Sequence, residues 1–134
     1  EKSLQQGAKL IVGGEQNNCN FQPTLIDFVE ANNIAFVQET FGPLVTIIRA
    51  KDQKDAIEIA NNHRYGLAAS IWSENRDNAY KIARNIEAGN VYINSLVRSN
   101  SRIPFGGIKK SGYGRELSEI GIKEFMNMKS LIIE

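Results

Sequence analysis

Residues Pro104–Glu116, PFGGIKKSGYGRE, decide how the rest of this chain is read. Gly106, Gly107, Gly112 and Gly114 crowd together too closely for a regular helix or a central strand, since glycine loses the most backbone freedom on folding. The stretch is a shaped loop. Its glycines permit positive φ and close backbone approach, and Lys109, Lys110 and Arg115 can bond carbonyls, carboxylates or phosphates. Two readings stay open on spacing alone: a tight surface connection with solvated lysines, or a loop that closely approaches and binds another surface. A P-loop fails on order, because that motif needs Gly-x4-Gly-Lys-Ser/Thr and here the lysines precede Ser111-Gly112.

Upstream of the loop, Val91–Asn94 reads as a strand. Before it, a helix is predicted over Asn75–Glu87: Ala79, Ile82, Ala83 and Ile86 fall at helical spacing, and Gly89 stands where a C-terminal glycine cap belongs. Ala68–Trp72 is a further strand. Asp52 and Asp55 form a capping pair for a helix whose Ala56, Ile57 and Ala60 share one face. Leu44–Ala50 is β-branched and nearly continuous in apolar character, as expected for a strand covered on both faces. Strand, helix, strand, helix, strand predicts an α/β fold, a mostly parallel sheet with flanking helices.

Nearer the start, Ala8–Val12 predicts a strand ended by Gly13 and Gly14, and Glu15–Phe21 an exposed loop. Pro23–Phe28 predicts a strand near a sheet edge, because it begins at a proline. Ile34–Val37 is short and apolar. Beyond the glycine-rich loop, Leu117–Met126 predicts a helix and Met128–Ile133 a terminal strand, which needs an edge to pair with. No linker marks a division into two domains.

Composition narrows the function. The 134 residues are 42% hydrophobic, enough for a core, and 16 Lys+Arg against 15 Asp+Glu leave a net charge of +1. That balance offers no electrostatic case for nucleic acid or an anionic membrane. No apolar run approaches the roughly 18 residues of a membrane span and no signal peptide is visible, so a cytoplasmic location is expected. The single cysteine precludes an internal disulfide, and with one histidine there is no zinc or haem ligand set.

With these residues in view, the run PFGG-x-K-x-SG-x-GRE, followed by a short helix and a terminal strand, resembles the C-terminal signature of the aldehyde dehydrogenase superfamily. Glu39–Val45, ETFGPLV, is similar to that family's E-x-F-GP-(V/L) motif. Tyr65–Ala69 (YGLAA) and Gly89–Asn94 (GNVYIN) stand between them in the family's order. The run FGGIKKSGYGRELSEIGIKEF, read with SNSR ahead of it, most resembles the bacterial succinate-semialdehyde dehydrogenases of that family.

The resemblance implies residues 1–126 as the C-terminal part of the catalytic domain and 127–134 as a strand that joins a small sheet and builds a homo-oligomer. It implies oxidation of an aldehyde, succinate semialdehyde in particular, to the acid with NAD or NADP as hydride acceptor. Glu39 matches the glutamate that binds the nicotinamide ribose; a carboxylate beside a rigid Gly-Pro turn can accept both hydrogen bonds of a vicinal diol. Phe41 matches the phenylalanine lying against that end of the cofactor. Asn94, Arg98, Ser99 and Phe105 fall in the segment matching the last substrate-pocket loop, where arginine and serine can bind a distal carboxylate. In a surface loop such residues are otherwise simply solvated.

Cys19 is rejected as the nucleophile. The family's catalytic cysteine lies much farther upstream of the Glu39 motif, and no helix start, histidine, Lys or Arg adjoins Cys19 to favour a thiolate. His63, at the end of a helix, is expected to bond terminal carbonyls and is given no catalytic role. Glu1 is not an initiator methionine, so the chain reads as a piece of a longer enzyme, inactive by itself. The competing class is a stand-alone, non-catalytic binding or assembly module, separated from the first by the mass of the native polypeptide. The residues that would choose between NAD and NADP are expected upstream.

Overall fold

The computed structural model describes residues 1–134, which divide into two compact units, Glu1–His63 and Arg64–Glu134. The division follows a helix directly, with no Gly, Pro or Ser run to announce it in the sequence. No helix is long and apolar enough to cross a membrane.

The first unit runs α1 (Lys2–Gln5), β1 (Lys9–Val12), β2 (Gln16–Asn17), β3 (Asn20–Phe21), β4 (Thr24–Asp27), α2 (Ile34–Val37), β5 (Leu44–Thr46) and α3 (Gln53–Asn61). Its main sheet has the order β1-β4-β5, with β1 antiparallel and β5 parallel to β4. β4 is therefore central, not near an edge. Pro23 stands just before the first ladder residue, so its missing N–H removes no ladder bond, and the Thr24 amide donates to the Pro43 carbonyl at 2.8 Å. Ala8, Ile26 and Val29 form the buried core, packed by Phe36, Leu44 and Ile48.

Two further expectations change here, and one element was not foreseen. The Asn-rich stretch is exposed as expected, but it is a small hairpin, β2 paired with β3, with Asn18 at φ 53°, a conformation Asn tolerates. Ile34–Val37 is a helical turn: buried Asn33 caps it, its Oδ1 accepting from the Ala35 amide at 3.0 Å and from Ser3 Oγ at 2.6 Å. β5 ends at Thr46 and alternates in burial, leaving Val45 exposed, so it is not covered on both faces.

The capping pair forms as the sequence predicts. Asp52 accepts from the Asp55 amide at 2.9 Å while Asp55 accepts from the Lys51 amide at 2.8 Å. Ala56, Ile59 and Ala60 then line an open apolar hollow of about 330 Å³ with Phe36, Ile48, Ala50 and His63. The imidazole Nε2 of His63 lies 2.8 Å from the Phe36 carbonyl, so it meets α2.

The second unit runs β6 (Tyr65–Gly66), β7 (Ala68–Ile71), α4 (Arg76–Ala83), β8 (Asn90–Ile93), β9 (Ile108–Lys109) and α5 (Ser118–Lys123). β7 and β8 are parallel neighbours joined by the α4 crossover, the strand-helix-strand unit read from the sequence. Asn75 caps α4 by accepting from the Asn78 amide at 2.9 Å, and Ala79 is fully buried. The helix stops at Ala83, short of Glu87, because Asn85 donates its side-chain amide to the Lys81 carbonyl at 2.7 Å. Gly89 is thus not a helix cap: a Cβ there would stand 1.8 Å from the Gly106 carbonyl oxygen, so the glycine permits backbone-to-backbone contact.

Counted over both units, two strand pairs are parallel, β4·β5 and β7·β8, and three are antiparallel, β1·β4, β2·β3 and β6·β9. The sheets are mixed, not mostly parallel. α5 starts one residue later than predicted, where Leu117 and Ser118 at φ 62° and 55° turn the chain sharply, and it stops at Lys123, three residues before Met126. Residues 127–134 are exposed and lie in no ladder. A strand exists only through its partner's hydrogen bonds, and this chain gives that tail none.

Candidate functional site

In the first unit, residues 38–43 form an irregular bridge from α2 to β5. Both ends are fixed. Asn33 caps α2, and at the far side the Leu44 amide donates to the Gly42 carbonyl at 2.7 Å while Pro43 is tied to β4 through Thr24. Between these anchors Glu39 is exposed, and Phe41 stands 90% exposed at φ 46°. A bulky residue at positive φ costs about 1–3 kcal/mol, and an aromatic ring gains nothing from water. Such a residue persists when the flanking structure enforces it. The bridge therefore leaves an exposed carboxylate and, two residues on, an uncovered aromatic ring. The two carboxylate oxygens can accept two neighbouring hydroxyls, and the ring offers a flat apolar surface.

At the end of β4, Asp27 is buried and paired with Arg49. Burial by itself pushes the Asp27 carboxyl up, but the Arg49 hydrogen bond, the Phe28 amide, and the charges of Arg49 and Lys9 together hold it below its ordinary value. Lys9 and Arg49 each lie 4.7 Å from the Phe28 ring centroid.

In the second unit, Asn94, Arg98, Ser99 and Phe105 lie along one segment that leaves β8 and returns to the glycine-rich stretch. Asn94, at φ 51°, is engaged: its Oδ1 accepts from the Ser73 amide at 2.8 Å and its Nδ2 donates to the Ser73 carbonyl at 2.8 Å. Its side chain shapes the corner where β8 ends. Arg98 and Ser99 are exposed, and Phe105 is half-buried. Ser70 Oγ donates to the Ser95 carbonyl at 3.0 Å, and the Tyr92 hydroxyl donates to the Arg98 carbonyl at 2.9 Å. The Ser118 amide donates to the Ser101 carbonyl at 3.0 Å. These tethers were not singled out from sequence; Ser70 and Tyr92 are register partners, and that pairing becomes visible only once β7 and β8 are aligned.

The glycine-rich stretch resolves between its two readings. Phe105 and Glu116 exchange backbone hydrogen bonds of 2.9 and 2.8 Å, closing the loop at its neck. Arg115 donates to the Gly107 and Gly114 carbonyls at 2.9 and 2.7 Å, and Lys109 pairs with Glu87 at 2.6 Å. Ser111 Oγ accepts from the Gly66 amide at 3.0 Å. The loop is a knot of internal bonds that docks on β6 and β8, and its arginine bonds carbonyls.

The model of the aldehyde dehydrogenase family matches residues 1–131. The chain is 42% identical over 134 residues to an NAD(P)+ succinate semialdehyde dehydrogenase of Escherichia coli strain K12, covering 98% of this chain and 29% of that protein. It is 41% identical to a lactaldehyde dehydrogenase of Methanocaldococcus jannaschii, covering 99% of this chain and 28% of the relative. Among solved structures, succinic semialdehyde dehydrogenase from Streptococcus pyogenes, in complex with NADP+, matches with a TM-score of 0.93 at 41% identity, covering 98% of this chain and 30% of the other. A salicylaldehyde dehydrogenase from Pseudomonas putida G7 matches with a TM-score of 0.94 at 36% identity, covering 99% and 28%. The chain thus spans under a third of the length of each of these relatives.

Proposed function

The chain belongs to the aldehyde dehydrogenase family, and on that premise we propose that it is the C-terminal part of an enzyme that oxidises succinate semialdehyde to the acid with NAD or NADP. The observation that carries the reading is that Glu39 is exposed and Phe41, two residues on, is held at positive φ with its ring uncovered. When bound, the nicotinamide cofactor takes up the hydride that leaves the aldehyde carbon. Glu39 accepts hydrogen bonds from the ribose hydroxyls, and Phe41 limits where the ring it faces can lie. Asn94 fixes the corner from which the substrate loop departs, Arg98 and Ser99 bind the substrate's distal carboxylate, and Phe105 forms an apolar wall.

The succinate semialdehyde preference draws on the relatives named above and on a loop that carries Arg98 and Arg102. Covalent chemistry is assigned to residues outside this chain, because Cys19 is exposed in the β2–β3 turn between two asparagines. The test is NAD(P)+ reduction by the whole polypeptide that carries this segment. We expect kcat/KM for succinate semialdehyde to exceed that for acetaldehyde by about 10-fold or more, the scale of a charge-assisted bond. Equal values for the two aldehydes sink the carboxylate reading. No reduction with either sinks the enzyme. The 134 residues alone are expected to reduce neither cofactor.

A further inference from the structure

The segment from Ser95 to Ile103 contains no helix or strand, yet it is not slack. Its tethers come from a particular place: Ser70 on β7 and Tyr92 on β8 are direct partners in the parallel ladder, so their side chains share one face of the pair. Both are hydroxyls, and both donate to carbonyls of the loop, Ser70 to Ser95 at 3.0 Å and Tyr92 to Arg98 at 2.9 Å. Beyond Arg98 the loop tightens on itself, the Ile103 amide donating to the Asn100 carbonyl at 3.0 Å. The bond from Tyr92 is therefore the one that places Arg98, whose own side chain remains exposed.

We propose that Tyr92 is a positioning residue for substrate choice: its hydroxyl fixes the backbone of Arg98, so that the guanidinium meets the distal carboxylate of the aldehyde already oriented. The proposal rests on the reading of this loop as the substrate pocket. A guanidinium binds a carboxylate through a planar fork, and its gain over a freely moving cation depends on how much freedom is removed before binding. Tyr92 does not touch the reacting carbon. It acts on KM for acids that carry an aldehyde, and leaves the chemical step alone.

The experiment uses the whole enzyme at saturating cofactor, with Tyr92→Phe, Arg98→Gln and the double variant, on succinate semialdehyde and on butanal, a neutral aldehyde of equal chain length. Arg98→Gln is expected to raise KM for succinate semialdehyde by about 10-fold or more and to move butanal less than about 2-fold. Tyr92→Phe is expected to raise KM for succinate semialdehyde about 5-fold, with kcat and the butanal constants within about 2-fold. The double variant should be no worse than Arg98→Gln alone, since a misplaced arginine cannot be lost twice. Amide exchange over residues 95–103 should quicken in Tyr92→Phe. If Tyr92→Phe harms both aldehydes alike, the tyrosine is merely structural; if it harms neither while Arg98→Gln is selective, the inference fails and the pocket reading stands. If Arg98→Gln itself is silent, the pocket reading fails and takes the inference with it.

Discussion

Gly89 shows what one hydrogen in place of a methyl can decide. Its φ is not positive, so alanine is tolerable to its own backbone, but the added carbon would lie 1.8 Å from the Gly106 carbonyl oxygen. Backbone cannot swing aside as a side chain does. Gly89→Ala should destabilise the second unit by about 3 kcal/mol, whereas Gly42→Ala, whose Cβ has nothing nearer than 3.7 Å, should shift a denaturation midpoint little. Comparable losses from the two would refute the close-approach account. Glu39→Gln replaces one acceptor oxygen by a donor without changing shape, and should raise KM for NAD(P)+ about 10-fold in the whole enzyme while leaving stability unmoved. Asp27 supplies a pH prediction. Its folded-state carboxyl lies below its unfolded value, so its contribution is complete above the ordinary carboxylate range and is lost as pH falls through the folded value. Arg49→Met should therefore lower the denaturation midpoint at neutral pH, with the gap to wild type closing in acid; a gap that stays constant would exclude the pair as its source.

Among elements, the sharpest contrast is between two asparagine caps. Asn75 is exposed and caps α4 alone, so Asn75→Ala should cost about 1 kcal/mol. Asn33 is fully buried and joins α1 to α2 through Ser3, donating its Nδ2 to the Ser3 carbonyl at 3.0 Å as well as accepting from the Ser3 hydroxyl. Its loss strands those groups, and Asn33→Ala should cost about 3 kcal/mol by equilibrium denaturation. Elements whose signals are local were legible in the sequence. The Asp52/Asp55 cap and the β7-α4-β8 crossover depend on neighbours a few residues away. What failed depends on partners distant in sequence: that β4 is central is decided by β1 and β5 closing on it, and that Gly89 serves contact is decided by Gly106. The helical turn at Ile34–Val37 was missed because its cap is also a tertiary bridge. At the candidate site, motif order singled out Glu39, Phe41 and the Arg98 loop as candidates, but Ser70 and Tyr92 have no signature apart from their register.

At the scale of the whole chain, residues 127–134 remain outside every sheet, and Met128, Leu131, Ile132 and Ile133 are 76–103% exposed. We propose that this tail is the oligomer strand. Deleting it breaks no ladder within this chain and should lower the mass of the whole enzyme by light scattering. An unaltered mass would assign assembly to another surface. The hairpin of β2 and β3 has a practical use of its own: the chain's only thiol sits solvent-facing at its turn, so a single maleimide dye would mark the first unit stoichiometrically, leaving the Glu39 bridge and the second unit chemically untouched.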